Sequence, residues 1–236
     1  MLKMQGKAII KISPSSALID EDIKVLIEGL HPSVDITLMC RVKEQTFRYF
    51  SWAYYTSDEK GCVDLTTMSA LPGGSYDGLE PMGFVWSQKQ EPGQKPGRRL
   101  VKQNVTTPLV TDFYTLEGLM DPNEGLQSIN SGHWLAHASC DRWYMADGVK
   151  RIEVRDGRLV GTLFIPAGKG PHPGVIDLFG IIGGFPEHRS ALLASRGIAS
   201  LALCYFTPGS GDALVTDIEY FEVLYIYIYI YNPRTQ

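Results

Sequence analysis

Four cysteines (Cys40, Cys62, Cys140, Cys204) and five histidines (His31, His133, His137, His172, His188) are the side chains of this 236-residue chain best suited to nucleophilic or metal chemistry. The cysteines stand singly, without C-x-x-C spacing, which predicts small buried hydrophobes in a reducing compartment rather than disulfide halves or zinc ligands. Cys204 closes a buried-type strand, where an inert thiol is expected. His133 and His137 are four apart, but Gly132 and strand-like flanks argue against a metal-binding helix face. A serine or cysteine nucleophile on a strand-to-helix elbow needs G-x-S-x-G or its cysteine version. Gly73-Gly74-Ser75-Tyr76-Asp77 fails at its last position, and Pro208-Gly209-Ser210-Gly211-Asp212 fails at both ends. One connection does have the right chemistry for part of an acyl-transfer site. Phe179, Gly180 and Ile181 follow a buried-type strand, and glycine there lets backbone N–H groups approach a tetrahedral oxyanion. One such donor contributes about 3–4 kcal/mol to a transition state. The plainer reading is a glycine-rich link between strand and helix.

Elements must position these residues, and composition says that they can. Hydrophobic residues make up 44% and charged residues 20%, enough apolar side chain to build a core and to exclude global disorder. With 22 Lys+Arg against 26 Asp+Glu, the net charge of −4 gives no electrostatic reason to expect nucleic acid or an anionic membrane as partner. No run of roughly 18 apolar residues is present, so no membrane span is expected. Lys3, Lys7 and Lys11 interrupt the N-terminus, which lacks a signal-peptide core. The last four residues, Pro-Arg-Thr-Gln, are not a peroxisomal ending. An intracellular, cytoplasmic chain is expected.

Up to about residue 140 the pattern is β. Ala8–Ile12 and Ile23–Ile27 are short apolar runs closed by turn residues, Asp35–Arg41 alternates polar and apolar, and Thr46–Tyr55 is rich in aromatics. Gly83–Trp86 and Leu109–Tyr114 are further strand candidates, with no helix-length amphipathic segment between them. This spacing predicts an antiparallel sandwich. The polar stretch from Gln90 to Arg99 carries a small basic cluster that reads as a solvated loop, or alternatively as a contact for an anionic ligand.

After Asp141 the pattern changes. Gly148–Arg155 and Arg158–Pro166 flank the hairpin signal Asp156-Gly157. Pro173–Gly180 is a continuous apolar run, Pro186–Gly197 has helix start and stop signals in order, and Ile198–Cys204 is another buried-type strand. Strand, helix and strand predict a βαβ unit and a parallel sheet. Hairpin, buried strand, glycine-bearing loop, helix and strand match the opening of an α/β-hydrolase fold, where the loop after the third strand donates to the oxyanion hole.

Ser16–Glu21, Pro81–Ser87, Arg142–Tyr144, Gly148–Phe164, Pro173–Gly180 and Arg189–Gly197 are similar to the acyl-CoA thioesterases related to bile acid-CoA:amino acid N-acyltransferase, a resemblance running from about Lys7 to Glu222. It implies an immunoglobulin-like β-sandwich over residues 1–141 and the first part of an α/β-hydrolase domain over 142–222. It further implies acyl-CoA as substrate rather than cofactor, with no cofactor or metal of its own. Such proteins use a Ser or Cys nucleophile with an Asp and a His, placed beyond Glu222 in the family's pattern, so no residue here inherits those roles. The chain alone is therefore expected to be inactive, with binding of a partner, including a full-length relative, as a role from a different class. The family divides between cytosol and peroxisome.

Residues 223–236 depart from that pattern. Tyr225-Ile226-Tyr227-Ile228-Tyr229-Ile230-Tyr231 is of low complexity and is what a TA dinucleotide repeat encodes. It is expected to be read-through of a non-coding repeat; a real terminal strand with Ile and Tyr faces is the alternative.

Overall fold

Asp35–Glu44 and Phe47–Thr56 form a long antiparallel hairpin whose first strand is buried on both faces from Ile36 to Cys40, and one of the protein's two units is built around it. The computed structural model describes residues 7–97, 99–157, 159–178 and 187–204. In chain order the elements are β1 (Ile9–Ser13), β2 (Ser16–Leu18), β3 (Lys24–Glu28), β4 (Asp35–Glu44), β5 (Phe47–Thr56), β6 (Val63–Asp64), α1 (Gly83–Trp86), β7 (Lys89–Gln90), β8 (Leu109–Glu117), α2 (Pro122–Asn130), β9 (Ala136–Trp143), β10 (Lys150–Asp156), β11 (Leu159–Ile165), β12 (Gly174–Asp177), α3 (His188–Ser195) and β13 (Ala199–Leu203). The first unit takes residues 1–100 and 109–142; the second takes 101–108 and 143–236.

The first unit is a β-rich body with two sheets, ordered β1-β3-β6 and β2-β9-β8-β4-β5-β7. Ile36, Leu38 and Cys40 of β4 face a core that includes Ile10, Val25 and Ile27 of the three-stranded sheet, so one apolar layer joins the two. Phe113 and Phe84 meet edge-on at 4.9 Å within it. The opposite face of β4 presents Met39, which packs with Phe50 and Leu116 against Leu126 and Ile129 of α2.

Two expectations are corrected in this unit. α2 is a helix that the β reading omitted, although its start signals are present: Asp121 accepts a 2.8 Å bond from Asn123 N–H, Pro122 follows, and Glu124 sits in the first turn. Gly125 is tight against the sheet, since a Cβ there would lie 2.4 Å from the Met39 sulfur. Gly83–Trp86, expected as a strand, is a single helical turn. Gly83 presses on the Tyr76 ring, where a Cβ would come within 2.3 Å, and Phe84 is buried while Trp86 is 61% exposed. A short apolar run does not specify its own period, and the close approach of Gly83 to Tyr76 leaves no room for a side chain at the start of the turn.

The second unit has one four-stranded sheet, ordered β10-β11-β13-β12. The β10–β11 hairpin turns at Asp156-Gly157. β13 runs antiparallel to β11 and parallel to β12, with α3 as the crossover between the parallel pair. One apolar cluster joins Val154, Leu159, Leu163, Leu201 and Leu203. Another joins Phe164 and Ala202 to Ala191 and Ala194 of α3, and includes the fully buried Val105 from the 101–108 segment. β11 and β13 approach closely at Gly161, where a Cβ would fall 2.6 Å from the Ala202 carbonyl oxygen.

Candidate functional site

The connection from β12 to α3 carries Phe179, Gly180 and Ile181, which lie outside the described residues; its flanks are described and carry a charged framework. Asp177 ends β12 with its side chain only 9% exposed. Arg189, in the first turn of α3, donates through Nη2 to Asp177 Oδ1, through Nε to Oδ2 at 3.3 Å, and through Nη2 to the Leu178 carbonyl at 3.1 Å. Ser190 Oγ donates to Asp177 Oδ2 at 3.2 Å and in turn accepts from Ser200 Oγ of β13 at 2.9 Å. Both serines are fully buried, so the chain of hydroxyls satisfies polar groups that would otherwise be costly.

Glu187, buried just before α3, is fixed by a second set of contacts. Arg151 grips it with a fork, Nε to Oε2 at 2.7 Å and Nη2 to Oε1 at 2.6 Å. Thr162 of β11 donates to Oε1 at 2.7 Å. Hydrogen bonding to Glu187 raises the Arg151 pKa above its ordinary value. Beside Arg189, His188 meets Tyr144 edge-on at 5.7 Å. Burial, reinforced by the Arg189 charge and opposed by Asp177, lowers its pKa and favours a neutral imidazole. The strand end before the connection and the helix start after it are therefore each pinned by an arginine–carboxylate pair. Such a framework orients backbone; it contains no nucleophile paired with a base.

A family profile described as "Acyl-CoA thioester hydrolase/BAAT N-terminal region" matches residues 20–156. The chain belongs to this family. It is 39% identical to acyl-coenzyme A thioesterase 5 of Mus musculus over 214 residues, which cover 89% of this chain and 48% of that relative. Acyl-coenzyme A thioesterase 1 of Rattus norvegicus is 40% identical over 86% of this chain and 46% of its own. Bile acid-CoA:amino acid N-acyltransferase of Mus musculus is 42% identical over 89% and 49%. The chain spans about half the length of the curated relatives it matches.

In this family member, several of the other sequence candidates are occupied structurally. Ser75 donates to the Trp52 carbonyl at 2.9 Å, accepts from Trp52 N–H at 3.0 Å and pairs with Ser87 Oγ at 2.8 Å, which saturates its hydroxyl. Burial drives the Cys40 thiol up to about 12 and raises Cys140, so neither is a thiolate near neutrality. Cys204 is buried beyond β13, with its N–H bonded to Val160 O. His31 and His133 sit in exposed connections, and His172 lies between β11 and β12. His137, on β9, reaches Asp112 Oδ1 at 3.2 Å, and Ser139 donates to that same oxygen at 2.6 Å. The hydroxyl thus faces the carboxylate, and the imidazole is not placed to take its proton. No group of three or more metal-ligating side chains occurs among the described residues, and no described helix is long and apolar enough to cross a membrane.

Asp177, Glu187, Arg151, Thr162, Ser190 and Ser200 were not singled out as site residues in the sequence, although Arg151, Thr162, Asp177 and Ser190 lie in segments that carry the family resemblance. The one available signal was a carboxylate at each boundary of the glycine-bearing connection.

Proposed function

We propose that this chain acts on acyl-CoA thioesters, with the first unit as an immunoglobulin-like sandwich and the second as the opening of an α/β-hydrolase domain. The observation that carries the reading is the roughly 40% identity to acyl-CoA thioesterases across 86–89% of the chain. The strand order β10-β11-β13-β12, with one antiparallel hairpin leading into a parallel pair, supports the hydrolase part. In the reaction, a nucleophile attacks the thioester carbonyl, the carbonyl oxygen becomes an oxyanion, and the CoA thiolate leaves; water then releases the fatty acid. On this reading Phe179, Gly180 or Ile181 supplies one backbone donor to the oxyanion. The Asp177–Arg189 and Glu187–Arg151 pairs hold the connection that presents it.

The 236 residues contain no G-x-S-x-G or G-x-C-x-G elbow. On this reading the chain by itself supplies an oxyanion-side element, and its inactivity is the expectation to be tested. Relatives that are amino-acid N-acyltransferases, at 41–42% identity, favour a second reading in which the acyl group passes to an amine. Association with a full-length relative would complete either site. The test is release of free CoA from a long-chain acyl-CoA by the purified, monodisperse chain. No release is expected; saturable release would overturn the inactive reading and make Cys204→Ala the first variant.

A further inference from the structure

We propose that the groove between the β4–β5 turn and the Gln94–Lys95 loop binds the phosphorylated adenosine end of a CoA thioester, with Lys43, Arg48 and Lys95 as its phosphate ligands. The inference rests on the acyl-CoA reading above.

Register supplies the first observation. Lys43 and Arg48 are direct cross-strand partners on the exposed end of the hairpin, and like charges placed opposite each other destabilise a strand pair. Neither side chain has an ion-pair or hydrogen-bond partner among the described residues. The carboxylates nearest in sequence are not available to neutralise them: Glu44 is buried at 5% exposure, and Glu91 is held by Arg41 at 2.7 Å. An uncompensated cation pair at this place becomes favourable when an anion lies across it.

Rigidity supplies the second. The loop after β7 is stapled to the hairpin through the backbone of one residue, Arg48. Glu91 N–H donates to Arg48 O at 3.0 Å, Gln94 Nε2 donates to the same oxygen at 2.6 Å, and Gln94 Oε1 accepts from Arg48 N–H at 3.0 Å. The Gln94 amide thus completes a rung that a further strand would otherwise form, and brings Lys95 to the hairpin turn. Between them lies a cavity of about 300 Å³ lined by Thr46, Phe47, Gln94 and Lys95. That volume is at the small end of small-molecule sites. The chain's net charge of −4 points the same way, since the basic groove is local and the rest of the surface would repel a long polyanion.

The experiment is calorimetric titration of the full chain with CoA, adenosine 3′,5′-bisphosphate, inorganic phosphate and a short single-stranded RNA. CoA and the bisphosphate should bind, and both should weaken by about tenfold or more in Lys43→Gln/Arg48→Gln, the scale of losing one charge-assisted hydrogen bond. Lys24→Gln, an exposed change on β3, should leave binding unaltered. Equal CoA affinity in the double variant, no nucleotide binding by the wild type, or binding of phosphate or RNA as tight as that of CoA would overturn the assignment. CoA binding that is indifferent to the double variant defeats this groove and leaves the acyl-CoA reading standing; absence of all CoA binding counts against both.

Discussion

Arg189 in the first turn of α3 reaches back twelve residues to the carboxylate of Asp177 at the end of β12, joining the two ends of the connection between them. The carboxylate is almost enclosed, whereas the Arg189 side chain is 46% exposed. Removing the two partners is therefore not equivalent. Asp177→Ala strands the Ser190–Ser200 hydroxyl chain as well as Arg189 and should cost about 1–3 kcal/mol; Arg189→Ala should cost less, because water replaces an exposed guanidinium. Urea unfolding of the two variants measures the difference, and an equal or reversed order would contradict it.

Glu187→Gln keeps the shape of the side chain but removes its charge. Arg151 then faces a neutral amide, and Thr162 competes for a single acceptor oxygen. A loss of about 1–3 kcal/mol is expected. Hydrogen exchange should show it as faster exchange in α3, with the strands of the first unit unchanged.

Gly161→Ala tests the close approach of β11 and β13. The added methyl would meet the Ala202 carbonyl, a backbone atom that cannot rotate away. About 1–3 kcal/mol of destabilisation is expected, read as a lowered thermal midpoint. In the first unit, Phe113→Ala empties a fully buried site beside Phe84 and should cost about 3–5 kcal/mol.

Stability should also depend on pH through His188. Its folded pKa is lowered by burial, so the unfolded chain takes up the proton first as pH falls. The contribution is complete above the ordinary histidine value of about 6.5 and is lost progressively as pH drops through the lowered folded value. Urea midpoints between pH 5 and 8 should fall on the acid side, and His188→Gln should flatten that slope; an unchanged slope would assign it to another group.

Much of the strand structure was legible because Asp35–Arg41 alternates polar and apolar residues, Thr46–Tyr55 is rich in aromatics, and Asp156-Gly157 declares a hairpin. The α2 helix was hidden by its low apolar content: Leu126 and Ile129 are its buried large side chains, and its start is written in Asp121-Pro122 rather than in periodicity. Gly83–Trp86 misled because four residues are too few to show a period, and the close approach of Gly83 to Tyr76, seven positions earlier, is a packing contact that periodicity does not report. The framework about the candidate site was less legible still. Arg151 is thirty-six positions from Glu187, and Ser200 ten from Ser190, so each pairing exists only after the sheet has formed. The oxyanion role proposed for residues 179–181 rests on element order, since those residues lie outside the described structure.

The second unit's core contains Val105, delivered by residues 101–108, while the next stretch of chain, 109–142, returns to the first unit. The boundary is thus crossed three times, and neither unit is one continuous piece of gene. A cut after Arg142 gives one fragment eight residues that belong to the other, and leaves that other with a vacancy where Val105 stood. On the ribosome, Val105 emerges before the strands that will enclose it, and must wait while β8, α2 and β9 are made. Exchange of the second unit between relatives would therefore have to carry residues 101–108 along with the stretch that begins at 143.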